Sequence, residues 1–183
     1  MQNMELLQNT LNKIANKDNY IFSSNNFKIL FPNLSSNALL MLLSRAVKKG
    51  ILTRLCLGYY LYPKVDYEKG YELYRLATLL RKNDFCYLSL ESVLSEAGVI
   101  SQIPLNTITL MTNGRRGKIN CGKFGVIEFI HTKKNIENIT KQLTYDKKYQ
   151  IWKASPKLAY QDMLDTKRPL DLVDKGVLNE FIW

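Results

Sequence analysis

The chain has 183 residues, 46% of them apolar, with nine Gly, five Pro and three Cys. That length fits one domain or two small ones and suffices for a buried core, which excludes collagenous, mucin-like and disordered classes. Twenty-six Lys and Arg against 16 Asp and Glu give a formal charge of +10, a balance that favours polyanionic partners.

The excess lies in two zones. Residues 1–64 hold eight basic and two acidic side chains, and residues 115–148 hold nine and three. No apolar run approaches the roughly 20 residues of a membrane-spanning helix, so no membrane partner is expected. The opening MQNMELLQNTLNK has no basic region followed by an apolar block, and a signal peptide is not expected either. Cys56, Cys86 and Cys121 are too widely spaced for a disulfide framework or a zinc site. A reduced, cytoplasmic chain follows.

Residues 4–17 place Leu7, Leu11, Ile14 and Ala15 at helical spacing, an amphipathic helix. YIFSSNNFKILFP reads as a second, short helix, capped by Ser23 or Ser24 and stopped at Pro32. LSSNALLMLLSRAVKKG is a third, with a Ser cap and a stop at Gly50. Ile51–Leu55 and Gly58–Tyr62 are β-prone runs that form a hairpin across Cys56-Leu57, and Pro63 closes the unit. Helix, short helix, longer helix, hairpin is the order of a winged helix-turn-helix, expected over residues 1–64.

At 100° per residue, Leu42, Leu43 and Ala46 lie within about 60° of Leu39 and form the buried stripe of the third helix. Asn37, Met41, Ser44 and Lys48 lie opposite, with Arg45 alongside, and no acid shares that face. Short polar side chains can read base edges in a major groove, while Arg45, Lys48 and Lys49 suit phosphate oxygens. The helix start at Ser35-Ser36 offers free N–H groups to a phosphate. Arg54 and Tyr59 of the hairpin are candidates for a wing. Against the DNA reading stands a small helical module that binds protein, and Tyr59-Tyr60 can equally be ordinary strand residues with one ring in the core.

A second domain is expected over residues 65–183, mixed α/β with a small, mostly antiparallel sheet, making the chain α+β. Residues 65–83 look helical. Phe85–Leu88 is a short apolar run, LESVLSEAG a short helix, Ile103-Pro104 a turn, and Thr107–Met111 and Val126–His131 are strands around a short one at Lys118–Asn120. NGRRGK reads as a hairpin turn with no phosphate-loop signature. Its Arg115 and Arg116, with Lys118 and Lys123, are candidates for holding an anionic partner. Ser155-Pro156 opens a helix carrying Ala159, Tyr160, Met163 and Leu164 on one side. PLDLVDKGVLNEFIW reads as helical, with Phe181-Ile182-Trp183 docking onto the domain.

No catalytic chemistry emerges. The one histidine, His131, sits at a strand end with no nucleophile or acid close in sequence, and reads as a hydrogen-bonded structural residue. Asp162 and Asp165 lie one helical turn apart among Lys157, Lys167 and Arg168, which suggests solvated surface pairing. Asp171 and Asp174 complete no calcium loop, and the strand carrying Glu128 lacks the following Lys of a restriction-type nuclease. No enzyme, cofactor or metal is expected.

The run from SSNALLMLLSRAVKKGILTRLCLGYYLYP through YLSLESVLSEAGVISQIP, TITLMTNGRRGKI, VIEFIHTK and SPKLAYQDMLD resembles AbiEi-family antitoxins of bacterial type IV toxin–antitoxin (abortive infection) systems. The similarity spans roughly residues 20 to 170 and rests on several moderately specific pieces in order. It implies a winged-helix domain that binds double-stranded promoter DNA and represses its own operon, a module that can dimerise on DNA. The segment Ser36–Lys49 and the hairpin Thr53–Tyr60 match the DNA-reading parts. Residues 86–168 would counteract a nucleotidyltransferase-like toxin. A second expectation stays open beside it: an interaction protein whose basic second domain binds the toxin, or the toxin's RNA substrate, with no transcriptional role.

Overall fold

The computed structural model describes residues 2–101 and 106–182. The turn predicted at Ile103-Pro104 lies outside them, as do Trp183 and the side chain of Ile182. The chain divides into two compact units, Met1–Gly70 and Tyr71–Trp183.

In the first unit, α1 (Gln2–Ile14) presents Leu7 and Leu11 inward, both without solvent exposure. The chain then forms a short strand β1 (Ile21–Ser23) before α2 (Ser24–Leu30). Ser23 caps α2 in a capping box: its hydroxyl accepts from the Asn26 amide, and Asn26 Oδ1 accepts from the Ser23 amide at 2.8 Å. α3 (Ser36–Lys48) follows, then β2 (Thr53–Cys56) and β3 (Tyr59–Leu61). The three strands form an antiparallel sheet in the order β1-β3-β2. β1 differs from the sequence expectation, which merged its three residues into the short helix. Phe22 and Phe27, with ring centroids 6.0 Å apart, and Tyr60, edge-on to Phe27 at 5.9 Å, link sheet to helices around Leu39, Leu42, Leu43 and Ala46.

The second unit opens with α4 (Glu72–Leu80), so residues 65–71, predicted helical, are not. β4 (Cys86–Leu88), α5 (Leu90–Glu96), β5 (Thr107–Thr112), β6 (Gly117–Asn120) and β7 (Val126–His131) follow. The remainder is α6 (Ile136–Ile139), β8 (Leu143–Asp146), β9 (Ile151–Ala154), α7 (Pro156–Asp165) and α8 (Lys175–Ile182). The six strands run β6-β7-β5-β4-β9-β8. Three of the five pairings are antiparallel; β5 with β7 and β4 with β9 are parallel.

That order corrects the hairpin reading of NGRRGK. β5 and β6 do not pair with each other; both pair with β7, so the loop crosses the end of β7. His131 Nδ1–H donates to Gly114 O at 2.9 Å, and Arg81 Nη2 to Arg115 O at 2.8 Å, holding the crossing in place. A second correction concerns α7, whose buried side chains are Leu158, Ala159, Asp162 and Met163, while Leu164 is exposed and Tyr160 half-buried. The C-terminal helix begins only at Lys175, anchored by Leu178, and Phe181 is 41% exposed instead of docked. Among the described residues no helix is long and apolar enough to cross a membrane.

Candidate nucleic-acid interface

α3 is built to show one face to the core and another to water. Leu39, Leu42, Leu43 and Ala46 are buried, at 0 to 4% exposure, whereas Asn37, Met41, Ser44, Arg45 and Lys48 are exposed, as is Lys49 just past the helix end. Ser35 caps the helix through its hydroxyl, which accepts from the Ala38 amide at 3.2 Å, and Ser36 opens the exposed first turn. Among the described residues, Lys48 and Lys49 form no ion pair, and Arg45 Nε donates only to Met41 O of its own helix, at 3.3 Å. Among the described residues, no acid pairs with the charges of this face. A polar, cationic ridge one helix wide has the dimensions that fit a major groove.

Arg54, exposed on β2, donates from Nε to Cys56 O across a bulge in the β2–β3 pairing. Tyr59 is half-buried and Tyr60 buried at 5% exposure, so the tyrosine pair splits between surface and core. At the turn, Leu57 is 83% exposed, the most open large apolar side chain among the described residues.

The four cations proposed for the second unit differ among themselves. Arg115 and Arg116 are exposed on the crossing loop. Lys123 is also exposed, its ammonium 5.3 Å from the Phe124 ring. Lys118 ion-pairs with Glu128 at 3.3 Å across β6 and β7, and Glu128 is held from the other side by Arg168 at 2.8 Å. Partial burial pushes the Glu128 carboxyl up, but Arg168 and Lys118 outweigh it and hold the group below the ordinary carboxylate range. Lys118 thus shares its charge with Glu128 while its side chain stays open to water, and Arg115, Arg116 and Lys123 form no ion pair among the described residues.

The acids of α7 overturn the reading as solvated surface pairs. Asp162 has no solvent exposure. Its Oδ2 accepts from Ser89 at 2.6 Å and Tyr87 at 3.1 Å, and its Oδ1 from Lys134 at 2.5 Å. Lys134 also reaches Asp165 at 2.8 Å. Burial and the neighbouring Asp162 push the Tyr87 phenol far up, so it stays a donor. Desolvation pulls the Lys134 ammonium down, but the two carboxylates prevail and raise it above the ordinary lysine value. A cavity of about 490 Å³ opens over this network, with His131 and Lys133 at its wall. Both Asp162 oxygens are occupied by donors, so the network clamps α7 to β4 and to the segment after β7. Among the described residues no three His, Cys, Asp or Glu side chains gather as a metal site.

No curated protein matches the chain. A family model, described as a family of unknown function, matches residues 9–154, a span from within α1 to the end of β9 that takes in the α3 face and all six strands of the second unit's sheet. With well over half the chain inside that match, the protein belongs to the family of unknown function DUF6088.

Proposed function

We propose that the first unit is a winged helix-turn-helix that binds double-stranded DNA, with α3 in the major groove and the β2–β3 hairpin as the wing. The observation that carries this reading is the exposed face of α3: Asn37, Met41, Ser44, Arg45 and Lys48 stand in one acid-free stripe whose cations form no ion pair among the described residues. Asn37 and Ser44 supply base-edge hydrogen bonds, the Met41 side chain an apolar contact, and Lys48 and Lys49 phosphate contacts. Arg54 extends the contact along the backbone.

Together with the resemblance to AbiEi-family antitoxins, this makes the protein a promoter-binding antitoxin that represses its own operon, binds without catalysis, and offsets a nucleotidyltransferase-like toxin through its second unit. Exposed Arg115, Arg116 and Lys123 favour a direct toxin or RNA contact as the second reading.

The test is fluorescence anisotropy with duplex DNA from the chain's own promoter, titrated over salt. Lys48→Ala is expected to weaken all duplexes alike and to flatten the plot of log affinity against log salt by about 0.9. Asn37→Ala is expected to change which sequences bind, at about 1–3 kcal/mol for the affected base pair. A protein that ignores its promoter DNA at low salt ends the reading.

A further inference from the structure

The second unit carries an aromatic surface that neither the α3 face nor the Arg115–Lys123 cluster uses. Tyr145 on β8 and Trp152 on β9 are direct cross-strand partners, with ring centroids 5.4 Å apart at 69°. β8 is an edge strand, and the pair remains 47% and 38% exposed. Two large rings side by side on a sheet would be covered if packing were their only role; exposed aromatic surface of this kind is informative where a lone exposed apolar residue is not.

Beside the rings lies a cavity of about 250 Å³, with Phe85 in its wall. Its polar lining includes Lys82, exposed and without an ion pair among the described residues, with the amide of Gln150, Thr78, the Arg81 guanidinium and one carboxylate, Asp84. Arg81 already stacks on the Phe129 ring at 4.0 Å and donates to Arg115 O, so Lys82 is the cation of this lining left for a ligand. The next turn, between β8 and β9, adds exposed Lys147.

Flat rings, an amide able both to donate and to accept, and a free ammonium at the rim together match an unpaired nucleobase and its phosphate. Bases inside a duplex are stacked on both faces and cannot enter. We propose that Tyr145, Trp152 and Lys82 form a binding site for single-stranded nucleic acid, with a base stacked on the aromatic pair and Lys82 on the adjoining phosphate. The site stands whether or not α3 reads DNA.

The test uses the full chain carrying Lys48→Ala and Lys49→Ala, so that loss of duplex binding by α3 cannot be mistaken for loss of this site. Anisotropy is measured with labelled 12-nucleotide single strands, as RNA and as DNA of the same sequence, and with the corresponding duplexes. Single strands are expected to bind better than duplexes, and the RNA and DNA arms show whether the 2′-hydroxyl contributes. Tyr145→Ala and Trp152→Ala should each weaken single-strand binding by roughly 5- to 150-fold, Trp152→Phe should retain most of it, and Lys82→Glu should weaken it and flatten the salt slope. Should Trp152→Ala fail to fold, Tyr145→Ala on the open edge decides. Unchanged affinity in folded Tyr145→Ala, or a preference for duplex, overturns the site. So does an aromatic-rich peptide that binds at this face while the oligonucleotides do not.

Discussion

A carboxylate withdrawn from water persists only when its oxygens are matched by donors, and Asp162 has three: Ser89, Tyr87 and Lys134. Removing the cation alone leaves a buried charge without its counterion. Lys134→Met is therefore expected to destabilise the second unit by about 3 kcal/mol, whereas Lys134→Met with Asp162→Asn should recover most of that loss because no charge is then stranded. Both tryptophans, Trp152 and Trp183, lie in the second unit, so urea melts followed by tryptophan fluorescence report on it selectively. A single variant as stable as an ordinary surface substitution would show that the clamp carries no load. None of this was visible in the sequence, where Asp162 and Asp165 are simply two acids one turn apart. The donors arrive from 28, 73 and 75 residues away, and only the fold makes them neighbours.

At the level of elements, α3 depends on its first turn. Ser35 accepts from the Ala38 amide, and its loss to Ala is expected to cost about 1 kcal/mol, against a few tenths for Ser35→Gly. Amide hydrogen exchange along α3 is the measurement, and equal protection in both variants would remove the cap from the account. The β2–β3 turn abuts the start of α2: Gly58 adopts φ +78°, and an added Cβ there would meet Ser24 Oγ at 3.3 Å. The inward stripe of α3 was legible because four buried residues recur at helical angles over 13 residues. β1 was not, since three residues give no period to detect and the Ser23 cap that follows belongs to a helix. β8 and β9 escaped for a similar reason: four residues each, with Tyr145 and Trp152 exposed where an alternating strand would bury one face. The crossing of NGRRGK was out of reach as well, because turn composition marks where a chain bends but not which strand it bends toward.

Charge is spread over the whole molecule, with nine basic and four acidic side chains in residues 1–70 and 17 and 12 in residues 71–183, a net +5 in each unit. In the second unit that excess is held together by ion pairs, and their titration sets a pH window. Lys134 and Gln161 hold the Asp165 carboxyl below its ordinary range, and Arg168 with Lys118 does the same for Glu128 against the opposing pull of burial. Groups whose folded value is lowered add stability above the unfolded carboxylate value of about 4 and lose it as pH falls through the folded value. Lys134, raised in the folded state, adds stability below the ordinary lysine value of about 10.4 and loses it as pH climbs past that. The urea midpoint of the second unit is therefore expected to stay flat from about pH 6 to 9 and to fall below about pH 4. As the acids protonate, the formal charge climbs from +10 toward the 26 of its Lys and Arg, and self-repulsion steepens the fall. Glu128→Gln should lower the neutral plateau and shallow the acid limb together, because the group that titrates is the group that pairs. An acid limb of the same steepness in that variant would mean that general repulsion, and not the Arg168–Glu128–Lys118 chain, governs acid unfolding.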